Sequence, residues 1–441
     1  MSLTHSIGKF IDIQDSNIVF NEEFFHMGTF KGKKCKYISG KLSYTPTHCE
    51  ACGVENQNDT IYKNGSQTSR ITLPFIGMYP AYLLLKKQRF MCKACKQTFT
   101  AQTSIVKKNC FVSQNVKTLI VIKAAEARSL TSIASDCSVS PTTVQREINQ
   151  AAKLFKPHYQ ALPEHLSFDE FKYAKGEMAF EYINAMTGDI LDILDRRNQF
   201  TIKNHFIANY SLADRKCVKT VTIDMNAGYA TVIKELFPNA EIIIDRFHLV
   251  QLISRSMNKC RIQVMNQFNK SNGEDQKKYR RLKKFWKLLL KNAMRISNTE
   301  YKHYPLFGQR TEGGMIEEML EYSPILKANY VIYQSLLKAM TNKDFKALKF
   351  HVVEPVDPLI SGYMRTSLKT LKKHLPYIQN SFIYPYNNGR IEGINNKIKV
   401  LNRVAYGYRN FMNYKKRILI HFKLKPFESN SKQKQPYSKV A

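Results

Sequence analysis

The chain has 441 residues, 43% of them hydrophobic, which is enough for two to four domains of about 150 residues each. Its 68 Lys and Arg residues outnumber 35 Asp and Glu residues, giving a formal net charge of +33. This excess attracts polyanions, either nucleic acid or an anionic membrane surface. The apolar runs are far shorter than the roughly 20 residues of a membrane span, and the first residues lack a signal-peptide pattern. We therefore expect a soluble cytoplasmic protein that acts on nucleic acid and has no membrane partner.

Four of the nine cysteines form two close pairs, Cys49-x2-Cys52 and Cys92-x2-Cys95, with 39 residues between the pairs. Each pair lets two thiolates from one tight turn reach the same tetrahedral ion, and two such pairs close a structural zinc site. The stretch between them alternates enough to predict two strands, so we expect a zinc ribbon over residues 46–105 that holds one structural Zn²⁺. Free thiols or a redox-active pair are the alternatives. Residues 1–45 have no pattern that indicates a role.

Residues 110–160 have a helical pattern that predicts a helix-turn-helix for DNA binding. A first helix is expected over about residues 130–137, followed by a two-residue turn. A second helix is predicted to be capped by Ser140 and to begin with Pro141, whose missing N–H costs nothing at that position. An ordinary helical hairpin is the alternative. The residues expected to contact DNA are Ser140, Thr142, Thr143, Gln145 and Arg146.

From residue 165 the apolar pattern changes to that of β-strands. Three strands are predicted first, the last two joined at the turn Thr187-Gly188-Asp189, followed by a helix over about residues 200–212. A buried strand ending at Asp224, a second helix and an apolar strand ending at Asp245 come next. This β-β-β-α-β-α-β order predicts a ribonuclease-H-like α/β core, a mixed sheet with helices on its faces, whose first part spans residues 161–250.

The rest of the chain is predicted to interrupt that core and then to complete it. Residues 251–380 are dense in Lys and Arg and have long helical patterns, so we expect a basic, all-helical insertion. Residues 381–425 are expected to form the second part of the core, with a helix that carries Glu392. The polar residues 426–441 indicate a flexible tail. The chain is therefore expected to be multidomain.

Two acids lie within or directly after apolar strands, where a carboxylate is costly unless it is paired or binds a cation. Asp169 lies in the first predicted strand of the core, and Asp224 ends the fourth. Carboxylates that converge from different elements can hold two divalent ions, which activate an attacking oxygen and stabilise the leaving oxygen of a phosphodiester. Asp224 could instead cap the next helix. Asp245 and His248 are expected to support the ligands or the structure rather than to bind the ions directly.

Glu392 is the single acid in the stretch YNNGRIEGINNKIK, residues 386–399. Locally it would stand in the first turn of a helix, where an acid interacts favourably with the helix dipole. Helical spacing also places it on one side of that helix with amide and basic residues that suit phosphate groups. The residues of this region expected to contact DNA are Arg390, Asn395, Asn396, Lys399, Arg403 and Arg409.

Six segments, in this order, resemble the ISL-three family of bacterial insertion-sequence transposases: CEACG, RFMCKACKQTF, LSFDEF, TIDM, DRFHLVQ and NNGRIEGINNKIKVLNRVAYGYRN. The resemblance covers roughly residues 45–420. The family is of the DDE (Asp-Asp-Glu) class with a ribonuclease-H-like core, and its three acids fall on Asp169, Asp224 and Glu392. The aspartate and histidine of its D-x-x-H pattern fall on Asp245 and His248.

The resemblance implies a transposase whose zinc ribbon and helix-turn-helix bind the terminal inverted repeats of an insertion sequence. Its three acids would hold two Mg²⁺ or Mn²⁺ ions per site, for hydrolytic nicking of the element ends and for joining of the 3′-OH to target DNA. A homodimer that brings two ends together, and a place on the nucleoid in the bacterial cytoplasm, are also implied. The alternatives are a DNA-binding regulator with an inactive core and a structure-specific nuclease on the same fold.

Overall fold

The computed structural model describes residues 3–225, 227–269 and 273–424. The chain forms two units, one made of Met1–Lys156 and Lys397–Ala441 and the other of Pro157–Asn396. The predicted tail, residues 426–441, lies outside the described residues. Among the helices of the described ranges, none is both long enough and apolar enough to cross a membrane.

The first unit begins with one helix and six strands that form a single sheet. These elements are α1 (Leu3–Phe10), β1 (Ile18–Val19), β2 (Phe25–Phe30), β3 (Lys33–Leu42), β4 (Ile61–Ile76), β5 (Tyr79–Cys92) and β6 (Thr98–Thr100). The strand order is β1-β3-β5-β4, with β2 on the edge of β3 and β6 on β5. β3 runs parallel to β5, and the other strand pairs of this sheet are antiparallel. Residues 1–45, which had no predicted role, therefore extend the sheet of the predicted zinc ribbon.

Three helices follow this sheet. They are α2 (Gln114–Ala125), α3 (Leu130–Asp136) and α4 (Pro141–Ala151). The turn between α3 and α4 contains Ser138 at a φ of +51°. As predicted, Ser140 caps α4, and its hydroxyl accepts a hydrogen bond from the backbone N–H of Thr143. Val144 and Ile148 are buried against the neighbouring helices, so the opposite side of α4 lies at the surface.

The second unit is built on a five-stranded mixed sheet. Its first elements are β7 (His165–Ala174), β8 (Glu177–Asn184), β9 (Ile190–Leu194), α5 (Gln199–Asn209), α6 (Leu212–Lys216), β10 (Thr220–Ile223), α7 (Ala227–Leu236) and β11 (Glu241–Ile244). The strand order is β11-β10-β7-β8-β9. β7, β8 and β9 form an antiparallel meander, and β10 and β11 run parallel to β7. The predicted order of elements is confirmed, with the short helix α6 in addition.

The region after β11 is mostly helical. Its elements are α8 (Arg246–Gln267), α9 (Gly273–Lys284), α10 (Trp286–Leu289), β12 (Lys302–Tyr304), β13 (Gly308–Arg310), α11 (Glu312–Glu321), α12 (Pro324–Thr341), α13 (Phe345–Val353), α14 (Gly362–Lys373) and α15 (Leu375–Ile383). The prediction of an all-helical insertion is wrong in one respect, because β12 and β13 pair as a short antiparallel hairpin. Leu306 and Gly308, between and at the start of these strands, both have positive φ, which suits a tight turn and not a helix.

Two helices end the described chain, α16 (Gly389–Val404) and α17 (Phe411–Lys423). Residues of α16 up to Asn396 belong to the second unit, and those from Lys397 belong to the first, together with α17. α17 packs against α2 and α4, and the Arg417 side chain is buried there. Its guanidinium donates to the backbone carbonyls of Glu126 and Arg128 at 2.9 and 2.8 Å. Residues 397–424 thus group with the first unit, whereas residues 381–425 were predicted to complete the core of the second.

Candidate active site

The four paired cysteines come together in the first unit. Sγ of Cys49 lies 3.7 Å from that of Cys95, and Sγ of Cys52 lies 3.9 Å from that of Cys92. A tetrahedral Zn²⁺ ion with Zn–S bonds of about 2.3 Å requires sulfur atoms about 3.8 Å apart, so the four thiols fit zinc. Backbone N–H groups of Cys52 and Ala51 lower the pKa of the Cys49 thiol to about 7. Such a shift favours the thiolate form that binds the metal.

Asp169 lies in the middle of β7, after the buried Phe168. Its Oδ2 accepts a hydrogen bond from the side-chain amide of Asn395 at 2.7 Å, and its Oδ1 accepts one from the backbone N–H of Glu170 at 2.8 Å. Burial, and then the charge of Asp224, raise the pKa of Asp169 to about 6. A bound cation would offset both effects, since it favours the ionised carboxylate.

Asp224 and Asp245 directly follow β10 and β11, which are neighbouring parallel strands. Because parallel strands end at the same edge of a sheet, the two acids come close together. Asp245 is buried and caps α8 by accepting a hydrogen bond from the backbone N–H of Phe247. Burial raises the pKa of Asp245. Asp245 therefore stabilises the start of α8.

His248, in the first turn of α8, contacts two of the predicted acids. Its Nε2 lies 2.9 Å from Oδ1 of Asp224 and 3.7 Å from Oε1 of Glu392. The hydrogen bond with Asp224, which outweighs burial, raises the pKa of His248. Ligand atoms of Asp224, Asp245 and His248 all lie within 4.8 Å of one another. The surroundings of His248 therefore favour the protonated, positively charged form of its imidazole.

The start of α16 brings Glu392 and two amides to the sheet. Asn388, Glu392 and Asn395 are spaced i, i+4 and i+7, which places them on one helical face. Asn388 donates to Oδ1 of Asp224 at 2.9 Å, as Asn395 does to Asp169. Glu392 also lies in the first turn of α16, where it interacts favourably with the helix dipole. The start of α16, with the residue before it, therefore holds both strand acids and supplies Glu392.

A cavity of about 430 Å³ opens at these acids. Asp169, Asp224 and His248 line it, and so does the exposed Arg255, which lies on α8 seven residues after His248. A guanidinium in this wall suits a phosphate oxygen. Arg255 was not among the predicted site residues, although its helical spacing from His248 was a signal that could have identified it. The other residues lining the cavity are Phe168, Glu170, Met225, Tyr229, Gln251, Leu252 and Thr370.

Comparison with known families gives two matches. A DDE, ISL3-type family model described as transposase matches residues 166–418, more than half of the chain. The chain belongs to the ISL3 family of DDE transposases. A second family model, described as the zinc-finger of transposase IS204/IS1001/IS1096/IS1165, matches residues 45–95, which contain the four cysteines.

Two individual relatives are similar to parts of this ISL3-family chain. The transposase for insertion sequence element IS1001 from Bordetella parapertussis is 28% identical over 252 residues, 56% of this chain and 58% of that protein. A protein of Lactococcus lactis subsp. lactis named ATP-dependent protease is 40% identical over 110 residues, 25% of this chain and 35% of that protein. The chain thus spans less than two thirds of the length of either relative.

Glu181 is a further acid beside the site, and it was not among the predicted site residues. It lies on β8 directly opposite Asp169, so the two side chains share a face of the sheet. Glu181 is fully buried, and both carboxyl oxygens are without a hydrogen-bond partner among the described residues. Burial, and then the charge of Asp169, raise the pKa of Glu181 well above its usual range. These surroundings therefore favour the protonated, neutral form of its carboxyl group.

The α4 residues expected to contact DNA have different exposures. Thr142 and Arg146 are exposed, as is the capping residue Ser140. Thr143 and Gln145 are half-buried, and the Gln145 amide donates to the Asn149 side chain. The exposed side of α4 therefore offers a hydroxyl and a guanidinium at its surface.

Most residues of the second predicted DNA-contacting set are exposed. The exception is Asn395, which is buried and donates its amide hydrogen bond to Asp169. The expectation that Asn395 contacts DNA is corrected accordingly, because the sheet and not the solvent lies opposite this position of α16. The exposed members of the set are Arg390, Asn396, Lys399, Arg403 and Arg409.

Proposed function

We propose that this protein is the DNA transposase of an insertion sequence, which cuts the ends of the element and joins them to target DNA. One observation carries the proposal. Asp169 of β7, Asp224 after β10 and His248 line one cavity, and His248 also lies 3.7 Å from Glu392 of α16. Asn388, directly before α16, and Asn395 within it donate hydrogen bonds to the two strand acids. Membership of the ISL3 transposase family supports the same function.

We assign a ribonuclease-H-like core to the second unit and a helix-turn-helix to α3 and α4. The first assignment is supported by the strand order β11-β10-β7-β8-β9, with an antiparallel meander followed by two parallel strands. The second is supported by the short capped helix α4, whose exposed side includes Thr142 and Arg146. In this assignment α4 reads the terminal inverted repeats from the major groove.

Asp169, Asp224 and Glu392 are proposed to hold two Mg²⁺ or Mn²⁺ ions, because carboxylate oxygens are the donors that these ions prefer. When bound, such ions would activate the attacking oxygen and stabilise the leaving oxygen. Asn388 and Asn395 orient the two strand acids through their hydrogen bonds. His248, Asp245 and Arg255 would support the acids and the scissile phosphate.

The proposed reaction has two steps, each a nucleophilic displacement at phosphorus. In the first, water attacks the phosphorus at the end of the element, and the 3′ oxygen leaves as a 3′-OH. In the second, that 3′-OH attacks a phosphodiester of the target, so one ester bond forms as another breaks. The second step conserves the number of ester bonds, and it requires no external energy source.

The partners of the proposed reaction are the terminal inverted repeats and the target DNA, met on the nucleoid in the bacterial cytoplasm. Two element ends must be held at once, so we propose that a homodimer supplies one site to each end. The relative named ATP-dependent protease is matched over only 35% of its length, and we propose no protease activity for this chain.

The test is a cleavage and joining assay with purified protein and labelled duplexes that end in the terminal repeats. Asp169→Asn, Asp224→Asn and Glu392→Gln should each abolish Mg²⁺-dependent nicking and joining while they retain repeat binding. Glu177→Gln, a change at an exposed acid of β8, is the matched control and should keep both activities.

The alternatives give different results in this assay. Repeat binding with no nicking by the parent protein would favour a regulator with an inactive core. Nicking without any joined product would favour a structure-specific nuclease. Normal nicking and joining by Glu392→Gln would contradict the assignment of the third acid.

A further inference from the structure

One face of the first unit's sheet carries cations and aromatic rings instead of an apolar core. Residues paired directly across neighbouring strands lie on the same face. Ile38, Leu83 and Ile71 form one such row and are buried in the core. The opposite face, here called the basic sheet face, comprises Phe30, Lys33, Tyr37, Lys41, Arg70, Tyr82 and Lys86.

Acidic residues are absent from the strands that build this face. No Asp or Glu occurs from Phe24 to Cys49, and none occurs from Thr60 to Ala125. The first stretch has five Lys or Arg residues and the second has eleven. Strands of this composition create a positive electrostatic potential, which attracts a polyanion.

One contact on the basic sheet face is unfavourable without an anion, and three of its cations have no acidic partner among the described residues. Lys41 and Lys86 are directly opposite on β3 and β5, and like charges in that position repel each other. In the part of the chain that the structure describes, Lys33, Arg70 and Lys86 form no ion pair. All three are exposed. Phosphate groups at this face would relieve the repulsion.

The rings of the basic sheet face hold a guanidinium in place. Arg70 lies 3.6 Å from the centre of the Phe30 ring, and Phe30 contacts Tyr82 edge-on at 5.3 Å. A guanidinium stacked on a ring keeps its N–H edge available for phosphate oxygens. Tyr82 is buried and Phe30 is covered by Arg70, so the face offers charge for a DNA backbone rather than rings for unpaired bases.

The basic sheet face adjoins the start of α4 within the same unit. A cleft of about 290 Å³ is lined on one side by Lys31, Lys33 and Tyr82, and on the other by Ser138 and Ser140. A duplex that meets Ser140 at the N-terminus of α4 therefore has lysines across the same cleft.

We propose that the basic sheet face is a second DNA-contacting surface, which binds backbone phosphates of the duplex whose bases α4 reads. The proposal rests on the proposed function, and it gives a role to residues 25–42. Because its contacts are to phosphates, this surface adds affinity without sequence preference. The sequence specificity of DNA binding then comes from α4, and much of the binding affinity comes from the basic sheet face.

The test uses the full-length protein with EDTA-free buffer and no divalent ion, so that binding is measured without cleavage. Binding to a terminal-repeat duplex and to a scrambled duplex is followed by fluorescence anisotropy over a range of salt concentrations. The variant Lys33→Ala/Arg70→Ala/Lys86→Ala should weaken binding to both duplexes by the same factor. The slope of log K against log salt should fall by up to about 2.7, at about 0.9 per phosphate contact.

The matched control removes the same charge elsewhere. In Lys219→Ala/Lys277→Ala/Lys302→Ala each lysine is paired with a glutamate, so little change in slope is expected. A charge-retaining variant, Lys33→Arg/Arg70→Lys/Lys86→Arg, should bind like the parent, which separates loss of charge from misfolding. Thr142→Ala/Arg146→Ala should instead lower the preference for the terminal repeat.

An unchanged salt slope in the alanine variant, or an equal effect of the control, would overturn the inference. A parent protein that binds but never nicks DNA counts against the proposed function alone. A parent protein without salt-dependent binding to either duplex would refute both.

Discussion

The side-chain amide of Asn395 donates a 2.7 Å hydrogen bond to Asp169, which lies 226 residues earlier in the chain. Asn388, directly before α16, makes the equivalent bond to Asp224. The start of α16 and the residue before it thereby fix both strand acids with respect to Glu392. The third acid and the orientation of the first two depend on one helix.

Replacing Asn395 should therefore impair the metal-dependent step and not DNA recognition. We expect Asn395→Ala to lower the nicking rate by about 10–100-fold, the usual effect of losing a partner that orients a metal ligand, and to raise the Mn²⁺ concentration required. Titration of nicking with Mn²⁺, alongside repeat binding, measures both effects. The exposed neighbour Asn396 serves as the comparison: Asn396→Ala should change DNA affinity without changing the Mn²⁺ requirement. The reverse pattern would contradict the role given to Asn395.

Loss of one zinc-binding thiol should unfold only the first unit. We expect Cys52→Ser to reduce bound zinc from about one ion per chain to none, because three thiols no longer close the tetrahedral site. Fluorescence of Trp286, the single tryptophan of the chain, reports on the second unit and should keep its native unfolding transition. Cys217→Ser, a change at an exposed thiol outside the site, should retain zinc. One full equivalent of zinc in Cys52→Ser would contradict the four-cysteine site.

The buried Glu181 should make the stability of the second unit depend on pH. Its raised pKa means that the folded state binds a proton which the unfolded chain releases above its ordinary pKa of about 4.3. The free energy of unfolding therefore falls as pH rises from that value towards the folded pKa, by up to about 1.4 kcal/mol per pH unit. Glu181→Gln removes this contribution, so its stability relative to the parent should increase from pH 5 to pH 8.

Urea unfolding followed by Trp286 fluorescence, with the metal chelated, measures this dependence. Glu177→Gln alters an exposed carboxyl on the same strand and should leave the pH profile of the parent unchanged. Parallel profiles for the parent and Glu181→Gln would show that Glu181 is already ionised in the folded chain.

We expect Arg417 to stabilise the first unit through its hydrogen bonds to two backbone carbonyls. The residue is 1% exposed, and Arg417→Met removes its hydrogen bonds to the backbone carbonyls of Glu126 and Arg128. We expect a loss of roughly 2–4 kcal/mol in the free energy of unfolding of the first unit. Thermal unfolding by circular dichroism, with repeat binding as a second readout, tests this. Met412→Ala, at an exposed position of α17, should have little effect.

Features that depend on a few neighbouring residues could be predicted from the sequence. The spacing of Cys49, Cys52, Cys92 and Cys95 indicated one site, because two thiols in a tight turn can reach the same ion. Ser140 was predicted as a helix cap because its neighbours and Pro141 define a helix start. The strands that end before Asp224 and Asp245 were also predictable, because a strand buried on both faces has a continuous apolar sequence instead of alternating polar and apolar residues.

Long-range pairings account for what the sequence did not reveal. Helical spacing grouped Asn395 with basic residues, but it could not tell whether solvent or the sheet lies opposite. Glu181 occupies an ordinary position in an alternating strand, and only the pairing with β7 places it beside Asp169. Arg417 has Lys415 and Lys416 as neighbours in the sequence, and only its pairing with backbone carbonyls after α2 shows that it is buried.

The grouping of residues 397–424 with α2–α4 has a consequence for biosynthesis. A ribosome that has translated only the first 385 residues has exposed neither Glu392 nor α17, so neither unit of the nascent chain has all its parts. If the proposed function is correct, chains that end before residue 386 should therefore neither hold the element ends nor cut them. Truncated chains would then not compete with the full-length protein for the ends of the element.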